Sequence, residues 1–418
     1  MYGEIITIGN ELISGRIMDL NAWYAAGKLT SAGLTVTRIT TVADDPEKVT
    51  CALKEAVRDS RFVITTGGLG STEDDLTNEI VATALDRPLC LDREMFDKIK
   101  VYVEARGMQM SPSLEKMAWM PEGSRMINPE GTTCGFSIRE NDIPLYFLPG
   151  VPDQMRYLTD KFVLPDLLRK YKTLPVLRHK ILKFYGLSEP SIAETLKQIP
   201  KKIENIILGF YPNFPENHVT ISLRGQDEPT VMDVINRTVS EIRSLLGPYL
   251  FATEDQSMER VVGDLLKDSG ATIALAESCT GGLIGNLLTN VAGSSEYFQG
   301  GLVTYSNQAK TDLLGVSPET LNQYGAVSDQ TVQEMARGVR EKMGTKMGLA
   351  VSGIAGPDGG TAQKPVGTVH IGLAVDQETH SAKYRFWGTR KQIKSNAAMM
   401  ALDWVRRNLH GYSYLPGI

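Results

Sequence analysis

The sequence predicts an α/β protein in which two units of alternating strands and helices flank a smaller α+β segment. In the first unit, short β-branched strands alternate with amphipathic helices at a spacing typical of βαβ crossovers, which favours a mainly parallel sheet. The same alternation returns in the last unit, whereas the middle segment groups its strands around a turn. We therefore predict three domains, at residues 1–170, 171–253 and 254–418.

The composition excludes several classes of protein. With 44 basic and 49 acidic residues, the formal net charge is -5, so no large positive field is available to hold a nucleic acid directly. The 4 cysteines and 5 histidines show no zinc-ligand spacing. The amino terminus lacks a secretion signal, and no apolar stretch reaches the roughly 18 residues of a membrane helix. We expect a cytoplasmic protein without a membrane or nucleic-acid partner.

Local signals place the first helices of the amino-terminal unit. The first long helix is predicted to bury Trp23, Ala26 and Leu29 on one face, because their spacing follows the helical period. The next helix begins with Asp45 as N-cap and Pro46 at its first position. Both helices are expected to pack against the sheet.

A glycine-rich loop follows the third predicted strand. In this loop Gly67, Gly68 and Gly70 stand between a buried strand and a helix, where backbone amides can converge on phosphate oxygens. Ligands of parallel sheets gather beyond the carboxyl ends of the strands, and carboxylates there suit Mg²⁺. The acidic candidates are Glu11, Asp44, Glu73, Asp74 and Asp75. In the alternative interpretation the glycines only form a tight turn, and Asp74 or Asp75 caps the next helix.

A second candidate site lies in the last unit. In LAESCTGG, Ser278 follows a buried strand and precedes Gly281 and Gly282, so that its hydroxyl would lie beside amides able to stabilise an oxyanion. No histidine is near in sequence. The segment GGLVTYSNQAK instead supplies Lys310, which can accept the serine proton if it is desolvated, and Tyr305, which can relay that proton.

A third loop, SGIAGPDGG, begins at Ser352 and could hold a nucleotide monophosphate together with Arg390. Each of these residues also has an ordinary interpretation. Ser278 could cap a helix, Tyr305 could be a strand residue, Lys310 a solvated helix residue and Arg390 a surface charge. Their occurrence together favours a site.

Eight segments resemble the competence/damage-inducible CinA family over essentially the whole chain. They are GEIITIGNELISGRIMDLNAWYAAGKL, TTGGLGSTEDDLT, NPEGTTCGF, LPGVPDQM, ESCTGG, TYSNQAK, SGIAGPDGG and KPVGTVHIG. The resemblance implies a three-layer, molybdopterin-binding-like first domain that is a metal-dependent ADP-ribose pyrophosphatase, yielding AMP and ribose 5-phosphate. It implies a carboxyl-terminal α/β domain that deamidates nicotinamide mononucleotide through an acyl-enzyme without a cofactor, and a homodimer.

The resemblance also implies a role for each matching residue. Ser278 would be the nucleophile, Lys310 its base, Tyr305 the proton relay and Arg390 a contact to the substrate phosphate. The other substrate contacts of this domain would be Thr280, Gly281, Gly282, Gly353, Ala355 and Gly356. In the first domain the phosphate contacts would be Gly67, Gly68 and Gly70. The divalent metal there, expected to be Mg²⁺, would be held by Asp44, Asp74, Asp75 and Glu11.

The chain departs from the family pattern at five positions. Asn10 stands where the family usually has Asp, Ser71 and Cys134 where it has Pro, Thr389 where it has Asp, and Lys394 where Arg is common. Asn10 removes a charge near the predicted metal. An alternative hypothesis is therefore a deamidase whose first domain binds a nucleotide or pterin without turnover and acts in competence or the DNA-damage response.

Overall fold

The computed structural model describes residues 1–128, 135–172, 174–203 and 205–415. Cys134, which departs from the family pattern, lies outside the described residues. The chain forms two compact units, Met1–Arg178 with Arg224–Val231, and His179–Leu223 with Met232–Ile418. The three domain boundaries expected from the sequence stay predictions.

The first unit is built on a central sheet. Its strands are β1 (Tyr2–Ile8), β2 (Thr35–Val42), β3 (Val63–Thr66), β4 (Leu89–Leu91), β5 (Trp119–Pro121), β6 (Arg125–Met126), β7 (Phe136–Glu140) and β8 (Ile143–Leu148). Six of these strands form one sheet in the order β2-β1-β3-β8-β7-β6. The strands β2, β1, β3 and β8 run parallel, whereas β7 and β6 each pair antiparallel to their neighbour. The predicted mainly parallel sheet is confirmed.

Helices cover both faces of this sheet. They are α1 (Asn10–Ile13), α2 (Leu20–Ser31), α3 (Pro46–Asp59), α4 (Thr77–Ala84), α5 (Arg93–Glu104), α6 (Pro112–Glu115), α7 (Pro152–Leu158) and α8 (Leu164–Lys170), with a 3₁₀ turn at Lys116–Ala118 and a π-helical turn at Thr159–Val163. Ile6 of β1 packs with Leu53 of α3, whereas its neighbour Ile5 packs with Leu29 of α2. Because successive strand residues point to opposite faces, the result is a three-layer domain.

The helix starts were predicted better than the buried face of α2. Asp45 caps α3 and Pro46 is its first residue, as expected. In α2, however, Trp23 is 69% exposed, and the predicted burial of this side chain is wrong. The buried stripe of α2 passes instead through Ala22, Ala25 and Leu29. Small residues bring this helix close to the sheet, and Trp23 lies on the outer side of the stripe.

The middle segment is an α+β arrangement, as predicted. Its elements are β9 (Val176–Phe184), α9 (Glu189–Leu196), α10 (Ile199–Lys202), β10 (Ile206–Asn213), β11 (Glu216–Gly225), α11 (Glu228–Leu246) and β12 (Leu250–Ala252). The four strands form a sheet in the order β10-β11-β9-β12. The β10–β11 hairpin is antiparallel throughout its register.

The last part of the chain forms a second three-layer α/β arrangement. Its elements are α12 (Met258–Ser269), β13 (Ile273–Glu277), α13 (Leu283–Thr289), β14 (Phe298–Val303), α14 (Asn307–Leu314), α15 (Pro318–Tyr324), α16 (Asp329–Met343), β15 (Met347–Gly353), β16 (Thr368–Val375), β17 (Glu378–Arg385) and α17 (Arg390–His410). The sheet order is β14-β13-β15-β16-β17. One face packs against α12, α13 and α17, and the other against α16. Among the described residues, no helix has the length and apolar character needed to cross a membrane.

Candidate active sites

The serine and lysine candidates follow two neighbouring parallel strands. Strand β13 lies between β14 and β15 and runs parallel to both, with Glu277 in register with Val303 and Val351. Ser278 is the first residue after β13, and α14, which carries Lys310, begins four residues after β14 ends. The carboxyl ends of these strands therefore bring both side chains to one edge of the sheet.

Ser278 and Lys310 are in hydrogen-bond contact. The Lys310 Nζ atom lies 3.2 Å from Ser278 Oγ, 2.8 Å from the carbonyl oxygen of Thr304 and 3.4 Å from that of Tyr305. If Lys310 is neutral, two N–H groups can be donated to the two carbonyls. Its lone pair is then available to accept the hydroxyl proton of Ser278. The interpretation of Lys310 as a solvated helix residue is wrong, because its side chain is only 1% exposed.

Burial has opposite consequences for the two reactive groups beside Ser278. Desolvation lowers the pKa of the Lys310 amine from its ordinary value of 10.5, because burial disfavours the charged form. Burial raises the pKa of the adjacent Cys279 thiol to about 12, so this thiol stays protonated at neutral pH. Ser278 remains 8% exposed. Burial thus favours the neutral amine of Lys310 and the protonated thiol of Cys279.

Some backbone amides around Ser278 donate to acceptors within the protein, and others have no backbone acceptor. The Gly281 amide donates to the Ser278 carbonyl, and the Gly282 amide donates to the Glu277 carboxylate. The role in the oxyanion region that the resemblance implied for these two glycines is therefore not available to their amides. Within the described residues, the amides of Cys279 and Thr280 donate to no backbone carbonyl. Of these two residues, Thr280 is fully buried and only Cys279 has exposed surface, at 5%.

Thr280 and the first residues of the third loop are largely buried and offer few atoms to a ligand. The Thr280 side chain is fully buried, and its hydroxyl has no hydrogen-bond partner among the described residues. Ala355 is also buried, and a Cβ at Gly353 would lie 2.7 Å from Val369 Cγ2. Thr280 therefore has no exposed atom to offer a substrate, and any contact from Gly353 or Ala355 would be made chiefly by backbone atoms.

Arg390 connects Tyr305 with the third loop. Its guanidinium donates to the Gly356 carbonyl at 2.6 Å and to the Tyr305 hydroxyl at 3.0 Å. The Tyr305 side chain is 62% exposed, and among the described residues its hydroxyl makes no hydrogen bond with Ser278 or Lys310. Tyr305 and Arg390 are thus brought together, but the relay role of Tyr305 stays a prediction that requires the phenol to move.

A second cation lies beside this pair. Lys394 stands one turn after Arg390 on α17, and a Cβ at Gly281 would lie 3.6 Å from Lys394 Nζ. The amino terminus of α17, capped by Thr389 and Gln392, therefore presents two cations near the serine turn. This arrangement suits an anionic group such as a phosphate monoester.

The predicted residues of the first domain, apart from Glu73, line one cavity of about 590 Å³. The candidates on its wall are Glu11, Asp44, Gly67, Gly68, Gly70, Asp74 and Asp75. Ser71, where the chain departs from the family pattern, also lines it. Sequence reasoning missed the opposite wall, formed by Met95, Lys98, Ile99, Tyr102, Leu114 and Met117 of α5, α6 and the following turn. Their amphipathic pattern indicated helices but carried no signal of a ligand.

The glycine loop presents unused amides to this cavity. Gly67 and Gly68 have φ angles of 111° and 68°, and a Cβ at either position would lie 2.2 Å from a neighbouring oxygen, so both must be glycine. The Gly67 amide donates to the Leu148 carbonyl. Within the described residues, the amides of Gly68, Leu69, Gly70 and Ser71 donate to no acceptor. They can therefore bind phosphate oxygens.

The carboxylates on the cavity wall influence one another. The pKa of Asp44 is raised, first by burial and then by the charges of Glu11, Asp74 and Asp75, although the Asn10 amide donates to Asp44 at 2.8 Å. Asp74 and Asp75 both accept from Thr72, and neither caps α4 by its side chain, so the capping alternative is wrong.

The same carboxylates do not form a complete metal cage. Among the described residues, no three acidic, histidine or cysteine side chains are grouped closely enough to hold a metal ion. Mg²⁺ commonly uses one or two carboxylates together with substrate phosphates and water. The residues present therefore fit a metal that is held jointly by Asp44 and a bound phosphorylated ligand.

Comparisons with known proteins cover all three parts of the chain. Family models match for a "Probable molybdopterin binding domain" over residues 4–169, the "Damage-inducible protein CinA KH domain" over 179–252 and the "CinA C-terminal domain" over 255–409. A CinA-like protein from Geotalea uraniireducens is 39% identical over 405 residues, which span 97% of this chain and 96% of that protein. The chain belongs to the CinA family.

A second relative and one solved structure are also similar to this chain. The CinA-like protein of Kosmotoga olearia is 39% identical over 98% of this chain and 99% of its own length. The solved structure of the competence/damage-inducible protein CihA from Agrobacterium tumefaciens is 40% identical. It covers 37% of this chain and 93% of that chain, with a TM-score of 0.36. The predicted CinA resemblance, and the α/β fold class with a molybdopterin-binding-like first domain, are confirmed.

Proposed function

We propose that the carboxyl-terminal domain of this CinA-family protein hydrolyses the carboxamide of nicotinamide mononucleotide. The proposal rests on one observation, the 3.2 Å contact between Ser278 Oγ and Lys310 Nζ at a position where burial lowers the pKa of the lysine. A serine activated by a neutral amine is a nucleophile suited to acyl transfer from an amide. Arg390 and Lys394 would receive the phosphate of the substrate.

The reaction proceeds in two balanced steps. Ser278 Oγ attacks the carboxamide carbon while Lys310 takes the hydroxyl proton, and the amide of Cys279 stabilises the oxyanion. The carbon–nitrogen bond then breaks, and ammonia leaves with the proton returned by Lys310. Water attacks the acyl-enzyme with Lys310 again as base, which regenerates Ser278 and releases nicotinate mononucleotide. Equal amounts of ammonia and nicotinate mononucleotide are expected from incubation of the protein with the substrate; failure to form either contradicts the proposal.

The Tyr305→Phe variant distinguishes a role of Tyr305 in phosphate binding from a role in proton relay. Because the Tyr305 hydroxyl bonds Arg390, its loss should disturb phosphate binding and raise KM for nicotinamide mononucleotide about 3- to 10-fold, as expected for about one hydrogen bond to a charged group. A relay in the chemical step would lower kcat instead. Steady-state kinetics of wild-type and Y305F protein decide between the two roles: an unchanged KM with a kcat loss would restore the relay.

For the first domain we propose hydrolysis of ADP-ribose to AMP and ribose 5-phosphate. The unused amides of the glycine loop would hold the diphosphate, and Asp44 would hold a divalent metal. Such a metal neutralises phosphate charge and activates water when it is bound. The absence of a three-ligand cluster among the described residues favours a second candidate, a domain that binds a nucleotide or pterin without turnover.

The two candidates differ in product and in metal dependence. If the domain is a pyrophosphatase, AMP should accumulate with ADP-ribose and Mg²⁺, and Asp44→Asn should lower the rate by about 10²-fold or more, since a charged ligand is lost. Glu47→Asn, on the exposed first turn of α3, should leave the rate unchanged. Calorimetric binding of ADP-ribose without AMP formation would support the non-catalytic candidate.

A further inference from the structure

Glu277, the last residue of β13, is a buried charge that the proposed reaction does not use. Its side chain is 2% exposed, and it directly precedes Ser278. A carboxylate is rarely buried unless it is fully hydrogen-bonded, because removing it from water is costly. The hydrogen bonds that the Glu277 carboxylate accepts therefore indicate its role.

Both carboxylate oxygens of Glu277 are used by the turn that follows Ser278. One oxygen accepts from the amides of Gly282 and Ile284 at 2.9 and 3.2 Å, and the other accepts from the Gly285 amide at 2.8 Å. These three amides belong to the start of α13, which otherwise has no side-chain cap. Glu277 thus closes a ring of hydrogen bonds around the segment that carries the serine.

The backbone of Glu277 reaches the other half of the site. Its carbonyl accepts from the Thr304 amide at 2.8 Å, and the Thr304 carbonyl in turn accepts from Lys310 Nζ at 2.8 Å. Glu277 is therefore bonded on one side to the serine turn and on the other to the segment that orients the lysine. A shift of this residue would move both groups.

We propose that Glu277 is a positioning residue for the Ser278–Lys310 pair. By accepting the amides of Gly282, Ile284 and Gly285, its carboxylate fixes the turn so that Ser278 Oγ faces Lys310. The inference rests on the proposed deamidase reaction and adds the device that holds its reacting groups in place. Misplacement of a reacting group by about 1 Å can cost on the order of 10²-fold in rate.

The Glu277→Gln variant tests the proposal. A glutamine has one acceptor oxygen in place of two, so at least one of the three amides loses its partner. We expect kcat for nicotinamide mononucleotide to fall about 10- to 100-fold, with KM changed by less than about 3-fold. The dependence of kcat/KM on pH should keep the position of its acid limb, because Lys310 itself is retained. Glu277→Asp, which keeps the charge with a shorter reach, should recover part of the lost kcat.

Glu334 provides a matched control in the same domain. Its carboxylate accepts from the Ser317 amide at 2.8 Å and from the Thr320 hydroxyl at 2.6 Å, with no contact to the serine turn. Glu334→Gln therefore removes a comparable internal acceptor and should leave kcat unchanged. Thermal unfolding of the variants, measured in parallel, separates lost positioning from lost stability.

Three results would overturn the positioning role alone. It fails if E277Q keeps more than half of the wild-type kcat. It also fails if E334Q loses as much kcat as E277Q, or if E277D, once shown to be folded, is no more active than E277Q. No ammonia release by wild-type protein would overturn the deamidase proposal together with it.

Discussion

Replacement of Ser278 with alanine is expected to lower the rate of ammonia release from nicotinamide mononucleotide by about 10⁴-fold or more. The physical reason is that the side chain next to Ser278 cannot take over the attack. The neighbouring Cys279 is buried, and burial raises the pKa of its thiol to about 12. The rate is measured as ammonia and nicotinate mononucleotide formed per enzyme under saturating substrate.

Ser269→Ala is a suitable control for this variant. Ser269 lies at the exposed end of α12, where its hydroxyl donates to the Leu265 carbonyl. The control should keep full activity, and both variants should unfold at the temperature of the wild-type protein. Undiminished ammonia release by the Ser278 variant would show that another group is the nucleophile.

Replacement of Lys310 with methionine is expected to lower kcat by about 10³-fold or more, because the serine proton loses its acceptor. In the wild-type protein, kcat/KM should rise with pH through the pKa of Lys310, which burial lowers from 10.5. The direction follows from the reaction, since only the neutral amine can accept the proton. The K310M variant should lose this pH dependence, whereas the exposed Lys342→Met on α16 should retain it.

Although Lys310→Met should lower kcat, it is expected to raise the stability of the folded protein. When the pKa of a buried lysine is lower in the folded state than in the unfolded state, stability decreases as the pH falls from about 10.5 through the lowered value. Lys310→Met removes this penalty. The unfolding free energy of K310M minus that of the wild type should therefore increase as the pH falls across this window. Denaturant unfolding at several pH values measures this free-energy difference. A difference that does not vary with pH would contradict a buried Lys310 whose pKa is lowered.

The fold and the serine–lysine pair were predictable because they follow from local pattern and strand order. Alternating strands and helices imply parallel sheets, and the carboxyl ends of neighbouring parallel strands lie at one edge. Ser278 and Lys310 follow two such strands, so their approach did not depend on long-range detail. Trp23 was mispredicted because several faces of α2 are apolar, and only packing of Ala22 and Ala25 against the sheet selects one.

The finer geometry of both sites depends on rotamers and hydrogen-bond competition, which sequence spacing does not specify. Tyr305 was expected beside Lys310, but its phenol bonds Arg390, a residue 85 positions away along the chain. The Gly282 amide was expected to serve the substrate, but the Glu277 carboxylate accepts it. A charged residue at the end of a buried strand, directly before Ser278, was the one signal in the sequence that could have revealed Glu277.

In the proposed reaction, Ser278 is acylated by the carboxamide of nicotinamide mononucleotide. Acid quenching of the wild-type protein during turnover, followed by digestion and mass spectrometry of the Ser278-containing peptide, tests it most directly. We expect a nicotinate mononucleotide ester on Ser278, and its accumulation when the water step is slowed. An adduct on Cys279, or ammonia release with no covalent intermediate under any quench time, would contradict it.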